Sequence, residues 1–371
     1  MLRELLIGLF LGTFTGLTPG IHVNTLAEIE SSFAVLFAMG LTHTFLDAFP
    51  STFLGVPDEG TALGILPAHR LVLAGKGPEV LRIALLSSLL AVVFTIPLLP
   101  LYSSLAARYS PSIGKAGALF LLAFLLLGGR DRAFRVIVIM ALSGALGWAV
   151  LNGTNLREPF YHLFTGLFGI PVMIASLRGS TSLPEQDENP GIKWEPLITF
   201  SIAGTLLGMI SSLLPAFTAS IGATIATLFS RDERGFLAAV YSINTSNFLF
   251  GIINYLITGR TRNGIAVALS KTGTEPQDLA VILTSALLIG SLAVLLGLAI
   301  SKPYLRIVTA LNYRLLNAVV VLFLLGLSPY FDGLYGLWAL LTASAIGYLA
   351  QELGVRRTNC MAVLIVPLLI R

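Results

Sequence analysis

Residues 12–25 read GTFTGLTPGIHVNT and close an apolar run that starts at Leu5. Proline and glycine are unfavourable inside a helix, so the pair at positions 19 and 20 predicts that the run breaks there. About half a chain later, residues 204–220 read GTLLGMISSLLPAFTAS, with the same Gly-Thr start and another proline. Broken apolar segments at matching places in two halves are typical of the midplane binding site of membrane transporters.

The composition indicates a membrane protein. Hydrophobic residues make up 55% of the chain and charged residues 11%, whereas soluble domains carry about 25% charged residues. The mean hydropathy is +0.86. Long apolar runs approach the roughly 20 residues needed to cross a bilayer, and they occupy residues 83–101, 136–151, 279–300 and 315–327. We therefore expect an all-α polytopic protein with about ten to twelve membrane segments, some of them broken or re-entrant, and no soluble catalytic domain.

Several function classes are disfavoured by what the sequence lacks. It has no Walker-type phosphate loop and no Gly-x-Ser-x-Gly motif, so neither an ATP-driven pump nor a serine hydrolase is expected. No basic cluster with interleaved aromatic residues suggests nucleic-acid binding, and the single cysteine, Cys360, cannot form an intramolecular disulfide. The histidines are scattered at positions 22, 43, 69 and 162. We therefore expect no metal site with the three ligands of a catalytic zinc, and no cofactor beyond a coupling ion.

A polar stretch divides the chain into two nearly equal parts. Its composition predicts a linker over residues 179–195, between membrane repeats at residues 1–178 and 196–371. Short matches recur at a common offset of about 190–200 residues, which is typical of an internal repeat. For example, Gly12-Thr13 corresponds to Gly204-Thr205, and residues 143–148 correspond to residues 344–348.

The placement of basic residues favours two repeats of inverted topology over two parallel repeats. The turn at residues 128–135 is basic, whereas its counterpart at residues 326–333 has no basic residue. Conversely, Arg231 and Arg234 align with a region around Met39 that has none. The positive-inside rule then puts corresponding loops on opposite sides, with the basic loops in the cytoplasm and the N-terminus outside. The first apolar run is interpreted as a membrane helix rather than a signal peptide.

The two breaks and the polar stretches after them supply the candidate substrate-binding residues. A helix that starts after a break offers free N–H groups to an anion, and arginine forks match carboxylate or phosphate. The alternative is structural: packing kinks, interhelical hydrogen bonds and ordinary loop arginines. The candidates are Thr18, Pro19, Gly20, His22, Asn24 and Thr25 in the first half, and Pro215, Thr218, Ser220, Asn244, Thr245, Ser246, Asn247, Arg260 and Arg262 in the second.

Two adjacent carboxylates are the candidates for ion coupling. Asp58 and Glu59 lie in a Pro- and Gly-containing segment between apolar stretches, and carboxylates near a membrane are costly and usually functional. They could hold a coupling cation, H⁺ or Na⁺, or pair with Arg70; the alternative is a solvated loop with a helix N-cap. His43 and Asp47 share one helical face at i and i+4, which predicts a hydrogen-bonded pair or a proton relay.

The residues also resemble those of a known family. Residues 12–25, the loop containing Pro57, and residues 66–79 with their Lys76-Gly77-Pro78-Glu79 turn are similar to the large membrane subunit of tripartite tricarboxylate transporters, the TctA family, and most of all to its shorter archaeal branch. The resemblance implies import of citrate-like carboxylates driven by an ion gradient, together with a small membrane subunit and an extracytoplasmic binding protein. The chain departs from the family at residues 56–61, which replace a Gly-Thr-Pro-Ser-rich binding loop, and at Leu214-Pro215-Ala216, where Pro-Gly is expected.

The combined prediction is a multi-pass permease of the cytoplasmic membrane, in contact with lipid, that moves a di- or tricarboxylate by alternating access. The site is expected between the two breaks, flanked by residues 244–247. The main alternative is a translocator of polyprenyl-phosphate-type lipid, since an anionic head on a long tail also suits a broken helix. An intramembrane enzyme is a third and weaker interpretation. The oligomeric state stays open, a homo-oligomer included.

Overall fold

The computed structural model describes residues 1–27, 32–56, 58, 60–108, 110–177, 182–214, 219–230, 232–261, 263–272 and 278–370, with side chains left out at positions 24, 25, 111, 130, 176, 271 and 272. This part of the chain is helical and contains no β-strand. Its helices are α1 Leu2–Leu17, α2 Val23–Ala27, α3 Phe33–Leu46, α4 Ala48–Phe53, α5 Ile65–Leu73, α6 Gly77–Ala107, α7 Pro111–Leu127, α8 Ala133–Gly153, α9 Pro159–Phe164, α10 Ile170–Leu177, α11 Trp194–Leu213, α12 Ala219–Ala226, α13 Glu233–Thr258, α14 Gly264–Thr272, α15 Leu279–Ala310, α16 Tyr313–Glu352 and α17 Ala362–Ile370.

The helices confirm an all-α polytopic membrane protein. Among the described residues, 7 helical stretches are long and apolar enough to cross a bilayer, and they are Phe33–Phe53, Gly77–Ala107, Ala133–Gly153, Trp194–Leu213, Glu233–Thr258, Leu279–Ala310 and Tyr313–Glu352. The last of these is broken by non-helical backbone at Asp332 and Gly333. Shorter apolar helices cover Ser112–Leu127, Pro159–Ala175 and Arg357–Ile370.

The central helices of the two halves, α3 with α4 and α13, lie antiparallel. Phe37 near the start of α3 packs on Phe248 in the second half of α13, with ring centroids 6.2 Å apart. At the other end, the Thr52 hydroxyl of α4 lies 3.4 Å from the Tyr241 hydroxyl near the start of α13. An inverted repeat requires corresponding helices to run in opposite directions, and this pair does so. The repeat itself stays a prediction.

Glycines let helices from the two halves approach at backbone distance. A Cβ added at Gly147 of α8 would collide with the carbonyl oxygen of Val363 in α17. In the same way, a Cβ at Gly347 of α16 would collide with the carbonyl oxygen of Leu167, in the π-helical turn between α9 and α10. Each position therefore requires glycine, which has no side chain, because two helix backbones touch there.

The polar stretch after α10 packs on the protein. Gln186 is buried, and its carbonyl oxygen accepts a hydrogen bond from the Gly77 N–H at 2.9 Å. Its amide N–H donates to the Val72 carbonyl oxygen, also at 2.9 Å. These bonds satisfy backbone groups at the turn between α5 and α6. The predicted linker is thus docked at that turn.

Segments that the sequence predicts to be cytoplasmic meet at one end of the helices. The Arg132 guanidinium donates to the Gly354 carbonyl oxygen at 2.7 Å, and the Lys302 ammonium lies 4.0 Å from the Glu188 carboxylate. This end carries the turn after α7, the docked polar stretch and the turn after α16. We call it the basic end.

A buried polar clamp holds the break in α16 against the start of α9. The Asp332 carboxylate accepts from the His162 ring Nε2 at 2.8 Å and from the Glu158 backbone N–H at 3.1 Å. The other ring nitrogen of His162 lies 3.1 Å from the Ser328 hydroxyl. Both members of the pair are buried, with side chains 0% and 4% exposed. The clamp therefore satisfies groups that the break would otherwise leave without partners.

An Asp332→Ala variant is expected to lose about 3 kcal/mol of stability, because it strands a buried imidazole and backbone N–H groups. Thermal unfolding of the purified protein measures this as a lowered Tm. The control is Glu352→Ala, which removes an exposed carboxylate from the same helix. Equal Tm values for the two variants would contradict the clamp.

Candidate functional site

The first break is a tight turn that ends α1. The Ile21 N–H donates to the Thr18 carbonyl oxygen at 3.3 Å, which closes the turn. Pro19 and Gly20 occupy its central positions, and Gly20 has a φ of 76°. A type II turn needs positive φ at its third residue, where glycine is favoured. The sequence therefore predicts this break correctly, and the turn directs the chain to His22.

His22 and His43 both contact the carboxylate of Asp58. The Asp58 Oδ2 atom lies 3.3 Å from His22 Nε2 and 3.1 Å from His43 Nε2. The two imidazole rings contact edge to face, with centroids 5.0 Å apart. His43 is buried in α3, whereas the His22 side chain is 29% exposed and that of Asp58 16% exposed. The three side chains form a cluster, which we call the His22–His43–Asp58 cluster.

Hydrogen bonds from neighbouring groups orient this cluster. His43 Nδ1 lies 3.0 Å from the Thr15 hydroxyl oxygen, and that hydroxyl donates to the Gly12 carbonyl oxygen at 3.2 Å. The Asp58 Oδ1 atom accepts from the Gly60 N–H at 3.3 Å. Asp58 Oδ2 is thereby left facing the two imidazoles.

The second half contributes through α13. The Asn244 amide donates to the Asp47 Oδ2 atom at 2.8 Å, and a Cβ added at Gly60 would collide with the Asn244 side-chain oxygen. Asp47 Oδ1 is buried and has no hydrogen-bond partner among the described atoms. Close by, the Thr245 hydroxyl lies 3.1 Å from the Thr44 hydroxyl. The middle of α13 thus packs directly on the loop that carries Asp58.

The cluster faces a small cavity of about 50 Å³. By the same measure a single water molecule needs about 10–15 Å³, so the cavity holds a few water molecules, and a tricarboxylate fits only after the surrounding helices move apart. Three carboxylates contribute to the wall together with the two histidines. The cavity is lined by Thr15, Gly16, Thr18, Gly20, Ile21, His22, His43, Asp47, Pro50, Val56, Asp58, Glu158, Phe160, Tyr161 and Phe164.

A larger cavity of about 1000 Å³ lies at the basic end. Arg70, Arg356 and Arg357 line it, as do Ala62 and Leu63 from the loop that also carries Asp58. Burial lowers the pKa of His69, which borders this cavity, so its imidazole is neutral at pH 7. The arginines therefore supply the positive charge of the cavity wall, and Asp232 and Glu233 in the same wall partly offset it. One loop contributes to the walls of both cavities.

The structure brings only some of the predicted residues together. Thr18, Gly20, His22 and Asp58 line the small cavity, Pro19 forms its turn, and Asn244 and Thr245 pack behind it. Ser246 instead donates to the Ser242 carbonyl oxygen and faces α11, as its contact with Gly208 shows. Four predicted residues lie outside the described part of the chain: Glu59, Pro215, Thr218 and Arg262. For Asn24 and Thr25, only the backbone in α2 is described.

Three further predicted residues lie away from the small cavity. Ser220 is buried in the first turn of α12, and neither it nor Asn247 lines the small cavity. Arg260 is exposed beyond the end of α13. At 1.5 Å rise per residue it lies about 24 Å along the chain from Asn244, so it does not reach the small cavity.

The predicted hydrogen-bonded pair of His43 and Asp47 is wrong. His43 does not pair with Asp47: its ring contacts Asp58 and Thr15, while the Asp47 carboxylate contacts Asn244. Helical spacing placed His43 and Asp47 on one face but could not reveal that each has a nearer partner on another segment.

Arg70, one of the alternative partners suggested for Asp58 and Glu59, pairs with Glu233 at 3.3 Å. Glu59 lies outside the described residues. Sequence reasoning also missed Thr15, Glu158 and Tyr161 as lining residues. The signal that could have identified Thr15 is a hydroxyl one helical turn before the Pro-Gly break.

An Asn244→Leu variant is expected to lose about 3 kcal/mol or more of stability, because removing one partner of a buried polar pair strands the Asp47 carboxylate. The measurement is the Tm of the purified protein. Asn247→Leu is the matched control on the same helix, since Asn247 is half-buried and lies outside the cavity wall. A smaller Tm loss for Asn244→Leu than for Asn247→Leu would contradict the assigned contact.

A multi-pass helical membrane protein with a polar cluster at a helix break has the arrangement that is typical of membrane transport components. Comparison with known proteins identifies the family. Residues 2–362 match the tripartite tricarboxylate transporter TctA family, and the chain belongs to that family. It is 30% identical to an uncharacterized protein of Methanocaldococcus jannaschii, over 99% of this chain and 97% of the relative. No solved structure matches the chain. The family is one of transporter components and not of enzymes.

Proposed function

We propose that this chain is the permease of a secondary transport system in the cytoplasmic membrane. It moves a small organic anion, a di- or tricarboxylate, by alternating access, and the movement is coupled to a gradient of H⁺ or Na⁺. Family membership supports the transporter class. The substrate and the coupling ion are our inference.

One observation carries this proposal. Asp58 lies between the helix break and the middle of α13, held by His22 and His43 and backed by Asn244 through Gly60. A carboxylate within a helical membrane protein is costly to maintain and marks a functional site, such as an ion pathway or a proton relay. We assign Asp58 as the cation-binding carboxylate of the transport cycle.

The two cavities support alternating access. The loop through Asp58 and Ala62 borders both the small cavity and the larger, arginine-lined one at the basic end. A shift of that loop together with the first break would connect the cluster to the larger cavity. By the positive-inside rule the basic end faces the cytoplasm, so we propose that the larger cavity is the cytoplasmic vestibule. The antiparallel crossing of α3 and α13 supports the inverted repeat that such a cycle uses.

The family implies partners. Its transporters contain a small membrane subunit and an extracytoplasmic binding protein, and we propose the same for this chain. The binding protein would deliver the anion to the side opposite the basic end, where α1 begins and where the small cavity is bordered by residues of α9.

Ligand-dependent stabilisation tests this function without requiring the partner subunits. The purified protein is heated with di- and tricarboxylates or with a polyprenyl phosphate, each with and without Na⁺. A ligand at about 100 Kd should add roughly 2.7 kcal/mol of stability. Stabilisation by a carboxylate supports the proposal, and uptake of the labelled carboxylate by proteoliposomes under a pH or Na⁺ gradient then identifies the coupling ion. Stabilisation by the lipid phosphate alone would overturn it in favour of a lipid translocator.

A further inference from the structure

We propose that the His22–His43–Asp58 cluster binds one divalent transition-metal ion of the Zn²⁺ type. Its remaining coordination position faces the small cavity, where a carboxylate oxygen of the transported anion completes the coordination. The metal site stands on the geometry of the three side chains. The role of the anion rests on the proposed function.

The ligand atoms have the separation that such an ion needs. One ligand atom from each of the three side chains lies within 4.8 Å of the others. Zinc ligands at about 2.0–2.1 Å in tetrahedral geometry lie roughly 3.3 Å from one another. The distances from Asp58 Oδ2 to His22 Nε2 and His43 Nε2 are 3.3 Å and 3.1 Å. The cavity beside Asp58 leaves room for a further ligand.

The contacts of His43 leave its inward nitrogen available as a ligand. The Thr15 hydroxyl oxygen lies 3.0 Å from His43 Nδ1 and can accept a hydrogen bond from an Nδ1–H group. In that tautomer Nε2 has a lone pair directed at Asp58 Oδ2, 3.1 Å away. A cation between these two atoms takes the place of the hydrogen bond that joins them in the other tautomer. A ring N–H held by an oxygen atom is also the usual support of a metal-bound histidine.

The wall of the cavity also calls for a bound cation. Asp47 and Asp58 both line it, so a bare tricarboxylate would approach two carboxylates. Like charges at short range repel strongly where water is scarce. A divalent ion at the cluster neutralises this charge and bridges protein to substrate. The cation that we assign to Asp58 in the transport cycle is then this metal ion.

The ligand types select the ion. Imidazole nitrogens suit Zn²⁺, Cu²⁺, Fe²⁺ or Ni²⁺, whereas Mg²⁺ and Ca²⁺ prefer oxygen ligands. Two nitrogen atoms beside one carboxylate oxygen therefore disfavour the hard cations.

Metal binding is tested on the full-length purified protein. After chelator treatment and dialysis against Zn²⁺, elemental analysis should find one ion per chain. With Co²⁺ as the probe, a visible absorption band reports coordination at the cluster directly. His43→Ala and Asp58→Ala should abolish both signals, and Thr15→Val should weaken the affinity for metal about 10- to 100-fold. The control is His69→Ala, which removes another buried histidine from outside the cluster.

The outcomes separate this inference from the proposed function. Absence of a stoichiometric ion in the wild type, or equal metal binding by wild type and His43→Ala, overturns the metal site. Carboxylate stabilisation that is identical with and without chelator also overturns the bridging role, yet leaves carboxylate transport standing. A bound ion with no carboxylate response supports the metal site and contradicts the proposed substrate. Unfolding of His43→Ala would be recognised by its Tm, and Thr15→Val then serves as the deciding variant.

Discussion

An Asp58→Asn variant is expected to lose carboxylate binding and uptake by about 30-fold or more. The change removes the charge that faces His22 and His43, whose ring nitrogens lie 3.3 Å and 3.1 Å from Oδ2. A hydrogen bond to a charged group contributes about 1.5–3 kcal/mol, and each 1.4 kcal/mol is about a factor of ten. The asparagine keeps the shape of the side chain and one acceptor oxygen, so it can still accept the hydrogen bond that the Gly60 N–H donates to Asp58.

The measurements are the carboxylate-dependent shift in Tm and the initial rate of uptake by proteoliposomes. Asp131→Asn is the matched control, because it removes an exposed carboxylate from the turn before α8. We expect wild-type behaviour from the control. Equal uptake by Asp58→Asn and wild type would refute the role assigned to the cluster, provided that both variants keep the Tm of the wild type without ligand.

The second large effect is structural. A Gly147→Ala variant is expected to lose about 3 kcal/mol of stability, at the upper end of overpacking costs. The added Cβ would collide with the carbonyl oxygen of Val363 and also press on its Cα. Because the obstacle is helix backbone and not a flexible side chain, α8 and α17 must separate. That separation also opens gaps between their neighbours, whose dispersion contacts are lost.

Gly153→Ala is the control in the same helix, since no other group lies within 4 Å of the place that its new Cβ would occupy. Replacing a glycine at an unobstructed helical site is neutral or stabilising by up to about 1 kcal/mol. Thermal unfolding should therefore separate the two variants clearly. If Gly147→Ala were as stable as Gly153→Ala, the close approach of α8 and α17 would be wrong.

Much of the architecture follows from local sequence. Apolar runs of membrane length predict the helices because a bilayer leaves backbone groups no partner except each other. The turn at Pro19-Gly20 follows from the chemistry of those two residues alone. The sequence also assigns the basic loops, such as the turn at Arg132, to one side of the membrane, because the positive-inside rule depends only on where lysine and arginine occur along the chain.

The site itself needed tertiary structure. His22, His43 and Asp58 lie on three segments, and no helical or strand period relates positions 22, 43 and 58 to one another. The sequence therefore makes the histidines look scattered, and it offers Asp47 to His43 through i, i+4 spacing. Folding places Asp58 nearer to His43.

What the sequence by itself determined is the class of protein, the positions of several long membrane helices and the first break, because these depend on residues close together in the chain. The tertiary structure decided which polar groups meet. It joined Asp47 to Asn244 across 197 positions and left Arg260 exposed at a helix end. The physical reason is that an apolar helix must bury its few polar atoms against whichever partner the packing supplies. That partner is set by how α1, α3 and α13 cross, and not by local propensity.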